Sequence, residues 1–324
     1  MTAQPRPLGV LLMTYGSPAD LADMPRYLAA VRGGRSPSAE VVAEFRRRYE
    51  MIGGSPLIPI TKAQAAAVED RLRADGLDSR VVAGMRFSEP TIAAALSALA
   101  EAGCGEVVGV IMSPQFSGLL MSGYRRALED AARAMGADAP DVRVAPAWFR
   151  QPSFLDAVAM RIREGLGRLP TPGPDVAPVL LTAHSLPRRV AEAEPEYLEQ
   201  LRGTAEMVAA RAGLPRDRWH FCWQSAGHEP GEWMRPDFAD LLPKLKDAGH
   251  RSVLVAPIQF LADHLEVLYD IDIGAQAQAQ AAGMAFARIE SLNVMPEFVA
   301  ALCAVVRDCA GEAVPTELVR EGRI

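Results

Sequence analysis

The sequence predicts an α/β fold built twice: two Rossmann-like halves, each a parallel sheet flanked by helices. Three observations predict it. First, apolar runs at 8–13, 80–84, 107–112, 142–145, 179–182, 220–222, 252–256 and 284–289 alternate with longer stretches of helical periodicity, such as 61–74 and 196–212. Short, largely apolar strands alternating with helices belong to parallel sheets covered on both faces. Second, segments repeat. Leu11-Leu12-Met13-Thr14-Tyr15-Gly16-Ser17-Pro18 parallels Leu180-Leu181-Thr182-Ala183-His184-Ser185-Leu186-Pro187, and Val110-Ile111-Met112-Ser113-Pro114-Gln115-Phe116 parallels Leu254-Val255-Ala256-Pro257-Ile258-Gln259-Phe260. Third, Pro170-Thr171-Pro172-Gly173-Pro174 breaks the alternation near mid-chain and reads as a linker. The chain accordingly divides into an N-terminal domain at 1–170, a C-terminal domain at 171–295, and a helix with a polar tail at 296–324 that packs back on the body.

Taken in order, these elements deliver candidate chemistry to the ends of the strands. The first run leads into Tyr15. Behind it, Arg26, Arg32, Arg35, Arg46, Arg47 and Arg48 crowd the first fifty residues, with Tyr49, Gly53, Gly54 and Ser55 beside them. Arginine grips carboxylates with two parallel hydrogen bonds, although a solvated basic helix has the same composition. The 107–112 run ends in Pro114-Gln115-Phe116. The glycine-interrupted stretch 116–124 that follows reads as a mobile apolar lip or as a loop entering a helix. The 179–182 run delivers His184. A structural histidine held in a turn would look the same, but a neutral imidazole facing carboxylates takes protons or holds a divalent metal.

The 252–256 run is followed by an acidic row. Glu266 and Asp270 are four residues apart, so on a helix they share a face at about 6 Å, with Asp263 and Asp272 flanking them. Leu261, Leu265, Val267, Leu268 and Tyr269 make an apolar setting that a solvated acidic face does not need. Oxygen ligands of this kind bind a hydrated cation without trapping it. Ligands of open α/β sheets bind beyond the carboxyl ends of the strands. Tyr15, Gln115, His184 and residues 259–266 are therefore expected to line a cleft between the halves.

Composition narrows the class. The 324 residues are 49% hydrophobic and 23% charged, with a net charge of −6. That is a globular profile with no footprint for nucleic acid. No apolar run is long enough to span a bilayer, and 8–13 is too short for a signal core. The expectation is a cytoplasmic protein with at most peripheral membrane contact. The four cysteines, Cys104, Cys222, Cys303 and Cys309, form no Cys-x-x-Cys pair and read as buried hydrophobes rather than iron–sulfur ligands. A Gly-x-Gly-x-x-Gly turn, a Walker loop, a Gly-x-Ser-x-Gly elbow and a His-Glu-x-x-His helix are all missing. Nucleotide, hydrolase and zinc-protease readings lose their main support.

Six motifs in order carry a resemblance. They are Met13-Thr14-Tyr15-Gly16-Ser17-Pro18, Arg48-Tyr49-Glu50-Met51-Ile52-Gly53-Gly54-Ser55-Pro56-Leu57, Ser113-Pro114-Gln115-Phe116-Ser117, Ala183-His184-Ser185-Leu186-Pro187, Trp223-Gln224-Ser225-Ala226-Gly227 and Ala262-Asp263-His264-Leu265-Glu266-Val267-Leu268-Tyr269-Asp270. With them the chain resembles the ferrochelatases along nearly its whole length. The resemblance implies a class II chelatase-like pair of Rossmann-like domains and insertion of ferrous iron into a porphyrin. His184 and Glu266 would be catalytic, and His184, Glu266 and Asp270 would contact the metal. A third acid, common one turn further in the family, is Gly274 here, so the metal path would use Asp272 or fewer ligands. Tyr15, Arg32, Arg48, Tyr49, Ser55 and Tyr124 resemble the porphyrin contacts of the branch that uses coproporphyrin III, which carries four propionates. The product would be coproheme, passed to haem-pathway enzymes. Iron would be a substrate, with no prosthetic group and no iron–sulfur cluster, and the branch is commonly monomeric. The alternatives are a protoporphyrin IX ferrochelatase and a porphyrin or haem carrier without catalysis.

Overall fold

The computed structural model describes residues 6–170, 173–227 and 231–311. In chain order the elements begin β1 (Leu8–Thr14), α1 (Met24–Val31), α2 (Ala39–Met51), α3 (Leu57–Ala74), β2 (Ser79–Met85), α4 (Ile92–Glu101), β3 (Glu106–Ile111), α5 (Gly118–Met135), β4 (Asp141–Val144) and α6 (Pro152–Gly167). They continue α7 (Gly173–Val176), β5 (Val179–His184), α8 (Arg188–Ala193), α9 (Pro195–Ala212), β6 (Trp219–Gln224), α10 (Phe238–Asp247), β7 (Ser252–Pro257), a π-helix (Glu266–Ala275), α11 (Gln276–Ala281), β8 (Ala285–Arg288) and α12 (Pro296–Ala310). Each of the eight apolar runs became a strand.

The chain forms two units. One takes the chain up to Pro114, Leu120–Ser153 and the chain from Asn293; the other takes Gln115–Leu119 and Phe154–Leu292. Each unit has one four-stranded parallel sheet, ordered β2-β1-β3-β4 in the first and β6-β5-β7-β8 in the second. The two orders are the same when strands are numbered within each unit, which is the structural form of the sequence repeat. Tyr15 directly follows β1 and His184 closes β5, the corresponding strand.

The proline-rich stretch at 170–174 lies within the second unit rather than between units, and its Thr171 and Pro172 fall outside the described residues. The reason is α6. This helix lays Gly165 against the second sheet, so closely that a Cβ there would meet Leu254 Cδ1 at 2.8 Å and Ile289 Cγ2 at 3.3 Å. The polar tail expected after α12 also falls outside the described residues. Cys104, Cys222 and Cys303 are buried, Cys309 is partly buried, and all four are free thiols. Among the described residues, no helix is long and apolar enough to cross a membrane.

The core of the first unit centres on β1, where Val10, Leu11, Leu12 and Met13 are wholly buried. Truncating Leu11 to alanine is expected to destabilise the protein by about 2–5 kcal/mol through lost burial and a residual cavity. Denaturant unfolding reads this directly, and an unchanged midpoint would mean the neighbours close over the gap. In the second unit, Leu180, Cys222, Phe238, Leu242, Val253, Val255, Ile271 and Ala275 form one cluster that joins the sheet to α10, the π-helix and α11. The Asp237–Asp240 capping box fixes the start of α10. The cluster orients the π-helix. Its buried residues, Val267, Ile271 and Ala275, recur every four positions, which leaves Glu266 and Asp270 together on a neighbouring face.

Candidate active site

In the second unit the site starts where β5 outruns one of its neighbours. β5 pairs with β6 as far as His184↔Gln224, but with β7 only as far as Thr182↔Pro257. His184 therefore stands at the carboxyl end of a central strand. Its Nδ1 lies 2.5 Å from the Ser185 carbonyl, a contact that requires the proton on Nδ1. That leaves Nε2 to face Glu266 Oε1 at 3.4 Å. The other carboxylate oxygen, Oε2, lies 3.6 Å from His264 Nε2, while His264 Nδ1 meets the Ala262 carbonyl at 2.8 Å. The Phe260 ring presents edge contacts to both imidazoles, with centroids 6.5 Å from His184 and 4.6 Å from His264. One carboxylate is thus held between two histidines against an aromatic wall. His184 and Glu266 keep 30% and 35% of their side-chain surfaces exposed, enough to meet a ligand.

Electrostatics sets the resting protonation. Burial pushes His184 down, but the facing Glu266 charge outweighs it, with help from the Ser185 carbonyl and Asp270. The imidazole ends raised to about 9. Burial pushes Glu266 up, and His184 and His264 together outweigh that, holding the carboxyl well below its usual range. At neutral pH the pair is an imidazolium facing a carboxylate. This corrects the neutral imidazole expected from sequence: the close carboxylate is what keeps the proton on the ring.

The acids beyond Glu266 have separate fates. Asp270 is near enough to His184 to favour its charged form. Asp272 is taken by Arg288, whose Nε and Nη2 reach its two oxygens at 2.6 and 3.0 Å. Asp263 accepts from Ser291 Oγ at 2.7 Å. Asp272, expected as a possible stand-in for the acid missing at Gly274, is a structural partner of Arg288 instead. Among the described residues, no group of three or more His, Cys, Asp or Glu is arranged to hold a metal ion. His184, Glu266 and Asp270 make an open row rather than a closed ligand cage.

In the first unit, Tyr15 is 39% exposed and meets the Phe87 ring edge-on at 4.6 Å. The Arg86 guanidinium lies over Phe87 at 4.8 Å and over Tyr124 at 5.4 Å, and its Nη1 donates to the Leu120 carbonyl at 3.3 Å. Gly123 makes room for it, because a Cβ there would sit 2.1 Å from Nη2. Burial pushes the Tyr124 phenol up, with Tyr15 adding to the effect and Arg86 opposing it. Tyr15 and Tyr124 therefore share one cluster with Arg86 and Phe87, two residues that sequence reasoning missed. The available signal was positional: Met85 pairs with Thr14, so the residues after β2 emerge beside Tyr15.

The remaining candidates lie along α1, α2 and the approach to α3. Arg32 ends α1, where its N–H donates to the Leu28 carbonyl at 3.1 Å. Arg48 pairs with Glu44 at 2.7 Å and lies over the Phe45 ring. Arg47 and Arg48 together hold the Glu44 carboxyl at about 2. Tyr49 is the buried residue of α2, at 5% exposure. Ser55 Oγ accepts from the Leu57 N–H at 3.4 Å.

The stretch at 116–124 is anchored at its start. Within the second unit, Phe116 N–H donates to Gln200 Oε1 at 2.9 Å, Leu119 N–H to Glu194 Oε1 at 2.6 Å, and Gln115 Nε2 to Thr204 Oγ1 at 3.0 Å. The rest belongs to α5, with Leu119 still 60% exposed.

The family model described as Ferrochelatase matches residues 7–310. A ferrochelatase of Deinococcus radiodurans is 36% identical over 308 residues, spanning 95% of this chain and 97% of that protein. The coproporphyrin III ferrochelatase of Anoxybacillus flavithermus is 36% identical, spanning 92% of this chain and 95% of its own length. That of Bacillus subtilis is 34% identical, spanning 92% and 96%. Among solved structures, SirB from Bacillus subtilis with Fe3+ aligns with a TM-score of 0.60 at 13% identity, covering 94% of this chain and 96% of that one. At that identity the likeness speaks for the fold alone.

Proposed function

The chain belongs to the ferrochelatase family, whose members insert a metal ion into a porphyrin, and from that membership we propose that it inserts ferrous iron into coproporphyrin III, giving coproheme and two pyrrole protons. The observation that carries the chemistry is the Glu266 carboxylate held between His184 and His264 at the carboxyl end of β5. A free-base porphyrin must lose two N–H protons as the metal enters, and its planar ring hides the nitrogen lone pairs. An enzyme for this step needs a proton acceptor beside the ring, a path for a cation, and a surface that grips the ring's edge.

His184 and Glu266 act as one proton-holding pair. An approaching dication drives the resting proton of His184 off through Glu266 and His264 to solvent, and the freed Nε2 then relays the two pyrrole protons one at a time by the same route. His264, on the far carboxylate oxygen, passes protons onward. Asp270 extends the acidic row along which the metal arrives. Ferrous iron is a substrate, and the reading includes neither a resident cofactor nor an iron–sulfur cluster. The reading also places the enzyme in the cytoplasm as a monomer that hands coproheme to a following enzyme of haem synthesis.

The choice of coproporphyrin rests on the arginines of the first unit and on the named specificity of several relatives. Tyr15 and Tyr124 offer the ring an aromatic surface, while Arg32 and Arg48, with Tyr49 and Ser55 beside them, read its propionates. Arg48 enters with part of its charge already engaged by Glu44, so its gain on meeting a carboxylate is modest. Replacing Arg48 with alanine is expected to weaken coproporphyrin III binding about 10-fold, the scale of one charge-assisted hydrogen bond, and to leave the tetramethyl ester unaffected. Fluorescence quenching measures both. Equal losses for acid and ester would remove Arg48 from carboxylate recognition.

A further inference from the structure

The main chain of His184 is held on its β7 side by a side chain rather than by a strand. The ladder between β5 and β7 ends at Thr182↔Pro257, and the Ile258 N–H closes it with a 3.0 Å bond to the Thr182 carbonyl. The chain then leaves the sheet. Two residues past Thr182, the His184 N–H points to where a longer β7 would have offered its next carbonyl. Gln259 Oε1 fills that place at 2.9 Å. The other end of the same amide, Nε2, donates to the Tyr197 hydroxyl on α9, a residue only 2% exposed. The His184 N–H can only donate, so it fixes the oxygen end of the amide toward itself, and Tyr197 holds the other end in place.

We infer that Gln259 is a positioning residue for His184, standing in for the strand residue that β7 does not supply and aligned by Tyr197. The position reaches the imidazole because the ring is tied to its own main chain: Nδ1 bonds the Ser185 carbonyl at 2.5 Å, and the Ser185 N–H bonds the Gln224 carbonyl at 2.7 Å. A shift of the 184–185 backbone therefore moves Nε2 relative to Glu266. The sequence repeat sharpens the point. Gln115 occupies the matching place after β3, yet it donates to Thr204, seven residues beyond Tyr197 and two turns along α9. One helix anchors both glutamines, and Gln259 turns its Oε1 to the His184 N–H.

This inference rests on the chelatase reading of His184, and the experiment separates the two. Gln259→Met keeps the length of the side chain and removes both hydrogen bonds. Gln259→Glu keeps an acceptor for the His184 N–H and a second one for the Tyr197 hydroxyl to donate to. Three quantities are read: kcat, KM for coproporphyrin III, and hydrogen exchange of the His184 amide. The methionine variant should lose about 10–100-fold in kcat, the cost of a small misplacement of a reacting group. Its KM should stay within about 3-fold. Its His184 amide should exchange faster while the amides of 180–182 stay protected. The glutamate variant should recover most of kcat, and Tyr197→Phe should give a smaller loss of the same kind. If Gln259→Met keeps full kcat, or KM rises in step with the loss, or glutamate does no better than methionine, or the amide is unchanged, Gln259 does not position His184. A wild-type protein that metallates no porphyrin sinks the chelatase reading itself, and this role with it.

Discussion

Replacing His184 with alanine is expected to cut iron insertion by at least about 100-fold, the usual minimum for losing a positioned proton acceptor, while leaving porphyrin affinity within a few-fold. The loss falls on turnover because the imidazole is placed for protons rather than for grip. Its Nδ1 is committed to the Ser185 carbonyl, and only Nε2 is presented, toward Glu266. Binding is expected to survive because the proposed carboxylate and aromatic contacts belong to other residues. Parallel measurements of kcat by loss of the free-base absorption bands and of affinity by fluorescence quenching test both halves. Turnover near wild type would remove His184 from proton transfer. A matching collapse in affinity would make it a binding residue.

Glu266→Gln is the second large effect, and it carries a pH signature. The carboxylate is what holds His184 up at about 9 against the burial that pushes it down. With the charge gone, burial dominates and the imidazole titrates lower. In the wild type, a limb of kcat/KM that needs the unprotonated ring rises as pH climbs through about 9. In the variant that limb moves to lower pH, and its plateau falls about 10–100-fold because proton relay through the carboxylate is lost. The same pair sets a stability trend. An imidazole raised from 6.5 to about 9 favours the folded state fully below pH 6.5, and that gain disappears as pH rises through 9. The depressed Glu266 contributes above its ordinary 4.5 and loses its contribution as pH falls. An unmoved limb in Glu266→Gln would show that Glu266 does not control the ring.

Much of this was legible in the sequence because parallel strands are short, apolar and punctuated. The run at 8–13 became Leu8–Thr14 and that at 252–256 became Ser252–Pro257, each within a residue or two. The repeated motifs correctly paired Tyr15 with His184, since each comes at the end of the first strand of its sheet. What stayed hidden depended on three-dimensional context. Spacing put Glu266 and Asp270 on one helical face, but nothing in it distinguished the wider π-helix from an α-helix. π-Helical turns gather at functional sites, where ordinary helical packing gives way. The partnership of Asp272 with Arg288, sixteen residues away, depends on tertiary packing. So does the imidazolium state of His184, which follows from a 3.4 Å approach that the sequence does not encode locally. Arg86 and Phe87 were readable in principle, since they leave β2 beside Tyr15, but an arginine after a strand has no motif of its own. The prolines at 170–174 misplaced the boundary because α6, before them, packs on the sheet that follows.

This protein is expected to place iron in a four-carboxylate porphyrin by means of the His184–Glu266 pair. Anaerobic mixing of the purified protein with ferrous iron and either coproporphyrin III or protoporphyrin IX, followed by visible absorption, reads that reaction. The free-base bands should collapse with coproporphyrin III and persist much longer with protoporphyrin IX, and His184→Ala should abolish the collapse. Faster consumption of protoporphyrin IX would contradict the substrate assignment. Spectral shifts of binding without metal insertion into either porphyrin would contradict the enzyme itself and leave a carrier.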